Sequence, residues 1–324
     1  MEKLVLIDGH SILNRAFYGV PELTNSEGLH TNAVYGFLNI MFKILEEEKA
    51  DYLAVAFDLK EPTFRHKMFA DYKGTRKPMP EELREQVPLM KEVLTSMGVP
   101  ILTMAGYEAD DILGTVAKRS QAKGLEVSVV SGDRDLLQLA DTHIKIRIPK
   151  TSRKGTEIYD YYPEDVKREY QVTPREFIDV KALMGDSSDN IPGVPSIGEK
   201  TATSLITAYG SIENIKAHLD EVKPPRAKKA LEEHYDMAVM SKELALICLD
   251  CPIDFSWDEA RLTNLYTPEA YQYMKRLEFK SILTRFDVQS MGGASIEEKF
   301  WTVEELAGAE EVFERAEGAE IVGF

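Results

Sequence analysis

The stretch Val129-Val130-Ser131-Gly132-Asp133-Arg134-Asp135 decides the fold class of this 324-residue chain. A short apolar run ends here on a glycine and two acidic residues, which is typical of a strand leaving a buried parallel sheet. Two earlier runs have the same form, since residues 4–7 precede Asp8 and residues 52–57 precede Asp58. The carboxyl ends of parallel strands meet at one edge of a sheet, so we expect these acidic side chains to converge.

Apolar runs of strand length alternate with helical patterns through the first half of the chain. Strands are predicted at residues 4–7, 52–57, 99–104 and 127–130, and helices at residues 33–48, 81–97 and 109–123. Such alternation indicates an α/β fold in which a mostly parallel central sheet is flanked by helices. From about residue 162 to residue 285 the pattern is mainly helical.

The composition excludes several classes of protein. Hydrophobic residues make up 44% of the chain and charged residues 29%, which is enough apolar material for a packed core. No apolar run approaches the roughly 20 residues of a membrane helix, and the start is too short and too acidic for a signal peptide. Only Cys248 and Cys251 are present, so no disulfide framework is expected. We therefore expect a cytoplasmic protein without a membrane partner.

Charge is unevenly distributed along the chain. Lys and Arg number 39 and Asp and Glu number 55, giving a net charge of −16 that by itself argues against a nucleic-acid partner. Three stretches are nonetheless basic, because residues 60–77, 145–154 and 223–229 carry six, five and four Lys or Arg. Local basic patches can contact phosphate whatever the total charge, and we predict such contacts in these stretches.

A linker is predicted at residues 291–295, which are rich in Gly, Ala and Ser. Residues 1–290 would then form one domain, with its mainly helical part at about 162–285. Residues 296–324 are typical of a strand, a Glu-rich helix and the opening of another strand. We expect these last residues to begin a further domain, and the chain to be part of a longer protein.

Further acidic residues follow in closely spaced groups. A single acid after a strand is often only a helix cap. Nine at one sheet edge would repel one another and raise their own pKa values unless cations lie among them. Oxygen ligands without His or Cys select Mg²⁺ or Mn²⁺, and two such ions about 4 Å apart are the usual means of in-line displacement at phosphorus. The predicted metal ligands are Asp8, Asp58, Glu108, Asp110, Asp111, Asp133, Asp135, Asp186 and Asp189.

The basic segment at residues 72–77, Tyr72-Lys73-Gly74-Thr75-Arg76-Lys77, lies between the second predicted strand and the helix that begins at residue 81. Most charged runs of this kind are solvated loops. If the segment is helical, Lys73 and Arg76 share one face, and Tyr72 beside them could stack on a base. This pairing favours a role in binding nucleic acid.

Residues 193–201, Gly193-Val194-Pro195-Ser196-Ile197-Gly198-Glu199-Lys200-Thr201, allow two interpretations. The run nearly matches a nucleotide-binding loop, but Glu199 separates Gly198 from Lys200 and no buried strand precedes the run. The alternative is a tight turn between helices, where free N–H groups at a helix start hold a phosphate without reading base sequence. We favour the second interpretation.

Taken together, these motifs closely resemble the 5′-nuclease (flap endonuclease) domain of bacterial DNA polymerase I. The resemblance covers residues 1 to about 290, with all nine acidic positions filled, and the last 29 residues resemble the start of a 3′-5′ exonuclease-like domain. The matching runs, in chain order, are residues 6–9, 56–58, 72–76, 106–111, 131–135 and 185–193.

The resemblance implies roles for the acidic and basic residues. Asp58, Asp110, Asp133 and Asp135 would bind metal directly, while Asp8, Glu108, Asp111, Asp186 and Asp189 would hold metal-bound waters or a second metal. Residues 60–77 would belong to a helical arch that admits a 5′ single strand, where Lys73 contacts the scissile phosphate and Arg76 stabilises developing charge. The residues predicted to act in catalysis are Lys73, Arg76, Asp8 and Asp110.

It also implies a helix-two-turn-helix element around residues 193–200 that holds the duplex backbone, with a monovalent cation bound at the turn. The residues expected to contact DNA are Arg15, Tyr72, Lys73, Arg76, Lys77, Gly193, Ser196, Gly198 and Lys200. The cofactors would be two Mg²⁺ or Mn²⁺ ions. The partners would be DNA with 5′ flaps, nicks or RNA primers and a polymerase domain in the same parent chain, and the protein would act as a monomer.

The leading functional hypothesis is therefore a structure-specific, metal-dependent 5′-3′ exonuclease and flap endonuclease. A phosphatase with an aspartyl nucleophile would need a second Asp two residues after Asp8, where the chain has His10. A DNA-binding module without catalysis is disfavoured by the nine acids, because carboxylates repel phosphate.

Overall fold

The computed structural model describes residues 1–152 and 155–286. The predicted linker at 291–295 and the predicted start of a further domain at 296–324 lie outside the described residues. None of the helices in the described ranges combines the length and apolar character needed to cross a membrane.

Six strands form one central sheet in the spatial order β3-β2-β1-β4-β5-β6. The strands are β1 (Lys3–Asp8), β2 (Tyr52–Ala56), β3 (Ile101–Leu102), β4 (Glu126–Val130), β5 (Ile144–Ser152) and β6 (Gly155–Tyr161). Neighbouring strands from β3 to β5 pair in parallel, and β6 pairs antiparallel to β5. The strand order reverses between β1 and β4, which is the point where open α/β sheets bind their ligands. The predicted mostly parallel sheet is confirmed.

Helices account for most of the remaining described chain. In the first half they are α1 (Gly9–Gly19), α2 (Asn32–Glu48), α3 (Phe64–Met68), α4 (Glu81–Arg84), α5 (Gln86–Ser96) and α6 (Ala109–Ala122). In the second half they are α7 (Pro163–Tyr170), α8 (Pro174–Met184), α9 (Glu199–Tyr209), α10 (Ile212–Ala217), α11 (Pro225–Ala245), α12 (Trp257–Ala260), α13 (Pro268–Arg276) and α14 (Lys280–Leu283). Short 3₁₀ helices span Arg134–Leu139 and Leu219–Glu221.

The sheet divides the core into two layers. Leu4 and Leu6 of β1 face a layer that includes α6 and helices of the second half, whereas Val5 and Ile7 face α1, α2 and α5. All four side chains are fully buried. A strand buried on both faces reads as a continuous apolar run, which explains why β1 was predictable from its sequence.

Two predicted elements differ in detail from the structure. The helix predicted at 81–97 is divided at Glu85 into α4 and α5. Pro88 accounts for the division, because it has no N–H to donate to the carbonyl of Arg84 four residues earlier. The strand predicted at 99–104 is reduced to Ile101–Leu102.

The hairpin of β5 and β6 was not predicted, and it gives the basic stretch 145–154 a structural role. Lys145 Nζ lies 2.7 Å from Oε1 of Glu48, at the end of α2, and Arg147 Nη1 lies 2.7 Å from the same atom. Arg147 also donates from Nε to Asp160 on β6 at 2.8 Å. These two cations therefore hold the hairpin to α2, and the expectation that they contact phosphate is wrong for this structure.

Candidate active site

The centre of the candidate site lies at the carboxyl end of β1. Asp8 ends this strand and caps α1, where its Oδ1 accepts a hydrogen bond from the Ser11 N–H at 3.0 Å. Its Oδ2 accepts a hydrogen bond from the hydroxyl of Ser131, which follows β4, at 2.8 Å. The two central strands thus converge on one carboxylate. Burial and the nearby charge of Asp58 raise the pKa of Asp8 to about 6.

Asp58 follows β2 and faces the start of α6. Its Oδ1 accepts a hydrogen bond from the Ala109 N–H at 2.8 Å, and its Oδ2 lies 3.4 Å from Nδ1 of His10. Burial raises the pKa of Asp58, but the hydrogen bonds from His10 and Ala109 outweigh it and lower the pKa to about 2. Asp58 therefore stays ionised while the Asp8 carboxyl gains a proton as the pH falls through about 6.

Glu108 and Asp110 come from the beginning of α6. Glu108 is the N-cap residue, and its Oε1 accepts a hydrogen bond from Nζ of Lys73 at 2.8 Å. Asp110 lines the same cleft as Asp8. Burial, together with the charges of Asp8 and Asp133, raises the pKa of Asp110 well above its usual value.

Asp133, Asp135 and Asp186 form the other side of the site. Asp133 caps the 3₁₀ helix that follows β4 by accepting from the Asp135 N–H at 2.9 Å. Lys181 of α8 contacts Oδ1 of Asp135 and donates to Oδ2 of Asp186 at 2.6 Å. Burial and the charge of Asp133 raise the pKa of Asp135 to about 7. For Asp186, burial is outweighed by hydrogen bonds from Lys181 and Ser188, which lower its pKa to about 2.

One cleft of about 1630 Å³ joins these groups. Seven of the nine predicted carboxylates line it: Asp8, Asp58, Glu108, Asp110, Asp133, Asp135 and Asp186. Basic residues from several elements line the same space, namely Arg15, Lys73, Arg76, Arg134, Lys181 and Lys200. The cleft is thus acidic at the sheet edge and basic around it, which suits a phosphate that must approach bound cations.

Asp111 lies outside this cleft, contrary to its predicted position among the metal ligands. It is fully buried, and its two carboxylate oxygens accept from Nη1 and Nη2 of Arg65 at 2.7 and 2.8 Å. Asp111 Oδ1 also accepts from the Cys248 N–H at 2.8 Å. Adjacent helical residues point about 100° apart, so Asp110 faces the cleft while Asp111 faces the protein interior.

Asp189 and Tyr72 form a buried pair beside the cleft. Asp189 Oδ2 accepts from the Tyr72 hydroxyl at 3.3 Å, and Asp189 Oδ1 accepts from Nε of Arg76 at 3.1 Å. Tyr72 is only 4% exposed and also donates to Glu108. The expectation that Tyr72 stacks on a base is therefore wrong for this structure, because its ring lies inside the protein.

The predicted basic segment makes turns between α3 and α4 rather than one helix. Lys73 has a φ of +56°, so Lys73 and Arg76 do not share a helix face. Both nevertheless line the cleft, whereas Lys77 is exposed. Arg15 of α1 also lines the cleft, and its Nε is buried without a hydrogen-bond partner among the described residues.

The glycine-containing turn between α8 and α9 has two parts with different roles. Gly193 has a φ of +63°, and a Cβ placed there would lie 2.4 Å from the backbone nitrogen of Gly185. Gly198 is the N-cap of α9, and a Cβ there would meet no atom of the described residues within 4 Å. Ser196 is exposed with a φ of +70°, and Lys200 is exposed and lines the cleft. Gly193 is thus fixed by internal packing, and Gly198 is open to a ligand.

The donor atoms of the cleft fit hard divalent cations. As the side chains stand, no three His, Cys, Asp or Glu of the described residues are arranged to hold a metal ion. Lysines account for part of this, because Lys73 pairs with Glu108 and Lys181 with Asp135 and Asp186. The carboxylates lining the cleft are oxygen donors, and the pKa of Asp110 is raised by burial and by the charges of Asp8 and Asp133.

Sequence reasoning missed two cationic residues of this region, Lys181 and Arg65. The side chains of both are at least nine-tenths buried, and both bond to acidic groups that were predicted as metal ligands. For Lys181 a signal was present, because it stands between Val180 and Ala182 in a run of buried positions of α8. A lysine in such a run needs an internal acidic partner.

Comparison with known families decides the wider assignment. Residues 3–171 match the family of the 5′-3′ exonuclease N-terminal, resolvase-like domain, and residues 172–267 match the 5′-3′ exonuclease C-terminal SAM fold. The chain belongs to the 5′-3′ exonuclease family. The predicted enzyme class, a nuclease, is confirmed by this membership, and so is the recognised resemblance. The two matches meet between α7 and α8, so that the central sheet lies in the first and the glycine-containing turn in the second.

Relatives of this 5′-3′ exonuclease family protein include bacterial DNA polymerases I. The chain is 47% identical over 290 residues to DNA polymerase I of Bacillus caldotenax and 46% identical over 290 residues to that of Bacillus subtilis. Each alignment covers 89% of this chain and 33% of the relative. The chain therefore spans about a third of the length of the curated relatives it matches.

Solved structures share the fold. The bacteriophage T5 5′-exonuclease with bound zinc aligns with a TM-score of 0.64 and 21% identity, covering 86% of this chain and 99% of that one. The catalytic core of Rad2 in complex with a DNA substrate aligns with a TM-score of 0.55 and 14% identity, covering 88% and 92% of the two chains. The mixed sheet and the helical second half are thus those of known nucleases.

Proposed function

We propose that this member of the 5′-3′ exonuclease family is a structure-specific, metal-dependent nuclease that hydrolyses phosphodiester bonds near the 5′ end of DNA or RNA primers at duplex junctions. The observation that carries the proposal is the composition of the cleft, where seven carboxylates at the sheet edge face Arg15, Lys73, Arg76 and Lys200. Such a surface suits an anionic substrate only when cations lie between its phosphate and the acids. A flap endonuclease of bacteriophage T5 with the same fold has been solved in a complex with DNA and metal ions, which supports this substrate class.

Within this proposal the carboxylates lining the cleft hold two Mg²⁺ or Mn²⁺ ions. Asp58, Asp110, Asp133 and Asp135 would be direct ligands, and Asp8, Glu108 and Asp186 would hold bound waters or the second ion. The ions would supply Lewis-acid activation of the attacking water and stabilisation of the leaving oxygen. Metal-bound structures of T5 relatives support a divalent metal.

The basic residues would act on the substrate itself. Lys73 and Arg76 lie in turns at the rim of the acidic site, where Lys73 would hold the scissile phosphate and Arg76 would stabilise the charge that develops on it. Arg15, with an unpaired buried Nε, would donate to a neighbouring phosphate. Lys77, exposed beyond Arg76, would contact the strand outside the cleft.

The turn between α8 and α9 would hold the duplex without reading its sequence. The first N–H groups of a helix have no intrahelical acceptor, and those of Glu199 and Lys200 stand at the open N-cap Gly198. Ser196 and the Lys200 ammonium group would add contacts to the same backbone, and a monovalent cation would bind at the turn.

The proposal extends to the parent protein. Because the relatives are DNA polymerases I about three times as long as the aligned region, a polymerase domain would follow in the same parent chain. Residues 1–290 would form the nuclease domain and residues 296–324 the beginning of the next. A single chain supplies both the acids and the bases of the cleft, which supports a monomer. Work on DNA in bacteria is cytoplasmic, which supports that location.

A cleavage assay tests the function. The 324-residue chain is incubated with double-flap DNA labelled at its 5′ end, in Mg²⁺ and in excess EDTA. We expect a labelled flap product in Mg²⁺ and none in EDTA, with little cleavage in Ca²⁺, which prefers longer and looser oxygen coordination. Undiminished cleavage in EDTA would exclude the metal-dependent mechanism, and absence of cleavage in Mg²⁺ and in Mn²⁺ would exclude the function.

A further inference from the structure

Arg65 of α3 uses all five of its N–H donors inside the protein. Its side chain is only 3% exposed. On one side, Nε donates to the carbonyl of Leu244 at 2.9 Å and Nη2 donates to the carbonyl of Leu246 at 2.6 Å. These carbonyls belong to the C-terminal end of α11, where the last carbonyls of a helix lack intrahelical donors. Arg65 therefore caps α11.

The remaining donors of Arg65 bind the start of α6. Nη1 and Nη2 each donate to one oxygen of Asp111, at 2.7 and 2.8 Å, and Nη1 also donates to Oε2 of Glu108 at 3.3 Å. Burial lowers the pKa of Arg65, but the ion pair with Asp111 raises it by more, so the guanidinium stays charged. One side chain thus joins α3, α6 and α11.

Glu108 links Arg65 to the predicted catalytic lysine. Its Oε2 accepts from Arg65 and from the Tyr72 hydroxyl at 3.1 Å, whereas its Oε1 accepts from Nζ of Lys73 at 2.8 Å. If Lys73 turns toward a substrate phosphate, Glu108 loses that partner. Arg65 and Tyr72 would still satisfy the buried carboxylate, so the move would not leave an unpaired charge.

We propose that Arg65 is a positioning residue that makes Lys73 available to the reacting phosphate and ties it to α11. The proposal rests on the proposed nuclease function. Helix α11 also holds the glycine-containing turn, because the Ser241 hydroxyl accepts from the Gly193 N–H at 3.0 Å. The turn that grips the duplex and the lysine that meets the scissile phosphate are therefore fastened to the same helix, through Ser241 and Arg65.

The variant Arg65→Lys tests this role. Lysine keeps the charge but has three donors on one atom, so it cannot serve Asp111, Glu108 and two carbonyls together. Glu108 then holds Lys73 more strongly. We expect the single-turnover rate on saturating 5′-flap DNA in Mg²⁺ to fall by about 10-fold to 100-fold, with the dissociation constant for duplex DNA changed less than about twofold.

Arg119→Lys is the matched control. Arg119 lies at the other end of α6 and also donates to two backbone carbonyls, those of Ile253 at 2.7 Å and Cys251 at 2.6 Å. The substitution should lower the thermal stability of the protein, as Arg65→Lys should, and leave the single-turnover rate unchanged. If the two variants slow cleavage equally, Arg65 is merely structural and the proposal is overturned.

A double-mutant cycle with Lys73→Ala separates positioning from general damage. If Arg65 acts through Lys73, Arg65→Lys should cause less than about a twofold further loss of rate in the Lys73→Ala background. If Arg65→Lys lowers the cleavage rate by the same factor with and without Lys73, the two residues act independently and the proposal is overturned.

Tyr72→Phe carries the test should Arg65→Lys fail to fold. It removes the other donor to Oε2 of Glu108 without changing a charge, and it should slow cleavage several-fold only when Lys73 is present. An unchanged rate in Tyr72→Phe would also overturn the proposal. Absence of cleavage by the unmodified chain would instead mean that the proposed function itself is wrong.

Discussion

Lys181 Nζ lies 2.6 Å from Oδ2 of Asp186 and also contacts Oδ1 of Asp135, so one buried ammonium group bridges two carboxylates of the cleft. The Lys181 side chain is only 7% exposed. The charge of this ammonium group compensates part of the acidic edge from within the protein. The contribution of Lys181 to the stability of the fold should therefore depend on whether a metal cation is bound in the cleft.

Lys181→Ala should therefore destabilise the metal-free protein more than the metal-bound protein. Removing one partner of a buried ion pair costs about 3 kcal/mol, because the carboxylates are left uncompensated. A divalent cation in the cleft would replace the missing charge, so the loss measured by urea unfolding should shrink in Mg²⁺. Lys242→Ala is the control. Lys242 Nζ pairs with Oδ1 of Asp179 at a distance of 2.7 Å, and neither residue lines the cleft. Equal losses for Lys181→Ala in EDTA and Mg²⁺ would contradict the prediction.

The neighbouring acids Asp110 and Asp111 should respond in opposite ways to amide substitution. Asp110→Asn should abolish cleavage and leave the protein at least as stable, since the raised pKa of Asp110 means that its charge is unfavourable in the fold. Asp111→Asn breaks a buried ion pair with Arg65 and should cost about 3 kcal/mol in the free energy of unfolding. Unfolding curves and single-turnover rates measured together decide the matter. Comparable loss of stability in both variants would show that both acids are structural.

The pH dependence of the free energy of unfolding should reveal the raised pKa of the Asp8 carboxyl. Its pKa is about 6 in the folded protein, against 3.8 for an unperturbed aspartate side chain, so between these pH values the folded state binds more protons than the unfolded state. Its contribution to stability therefore falls as pH rises from about 4 to 7. In EDTA at pH 7, Asp8→Asn should be more stable than the unmodified protein by about 3 kcal/mol, and the difference should become small near pH 4.

Mg²⁺ should reverse this difference at pH 7, because only the carboxylate attracts the cation. The measurement is urea unfolding at both pH values, with and without the metal. A less stable Asp8→Asn variant in EDTA at pH 7 would show that the hydrogen bonds from Ser11 and Ser131 outweigh the repulsion.

Alanine substitutions at Gly198 and Gly193 should separate an effect on duplex-DNA binding from an effect on the stability of the fold. Gly198→Ala adds a Cβ into open space at a φ of −93° and should cost less than about 1 kcal/mol of stability. It should still weaken binding to long duplex DNA by about tenfold, because the phosphate must approach the first N–H groups of α9. Gly193→Ala meets the backbone of Gly185 and should cost about 3 kcal/mol.

The salt dependence of duplex-DNA binding distinguishes the contribution of the backbone N–H groups at Gly198 from that of the Lys200 charge. Gly198→Ala removes no charge, so the dependence of log K on log salt should keep its slope, whereas Lys200→Ala should reduce the slope by about one. Normal duplex affinity in Gly198→Ala would mean that no phosphate approaches this helix start.

The strands and the edge they share were predictable because buried parallel strands are apolar throughout. β1, β2 and β4 appear in the sequence as runs that end before an acid. The β5 strand was missed although Ile144, Ile146 and Ile148 alternate with polar residues. Its Lys and Arg were interpreted as a patch for phosphate, and their acidic partners on α2 lie about 100 residues away in the chain.

The candidate site was predictable as a group but not residue by residue. The spacing of Asp110 and Asp111 shows that they diverge, but it does not show which of them faces the strands. That choice depends on Arg65, 46 residues before Asp111 in the chain, and on carbonyls at the end of α11. Contacts between such distant segments leave no periodic signal in a single sequence, so Asp111 and Asp189 were both assigned to the metal site.

The order of strands in the sheet bears on how the chain folds while it is being synthesised on the ribosome. β1 lies between β2 and β4, and its register with β4 joins Leu4 to Val127. Asp8 and Asp58 therefore emerge first, Asp133 and Asp135 follow, and Lys181 emerges last. Asp135 is thus synthesised before Lys181, the buried ammonium group that pairs with it. Closure of the cleft should accordingly be a late event of folding, so an incomplete chain that ends before α8 should be unable to cut nucleic acid.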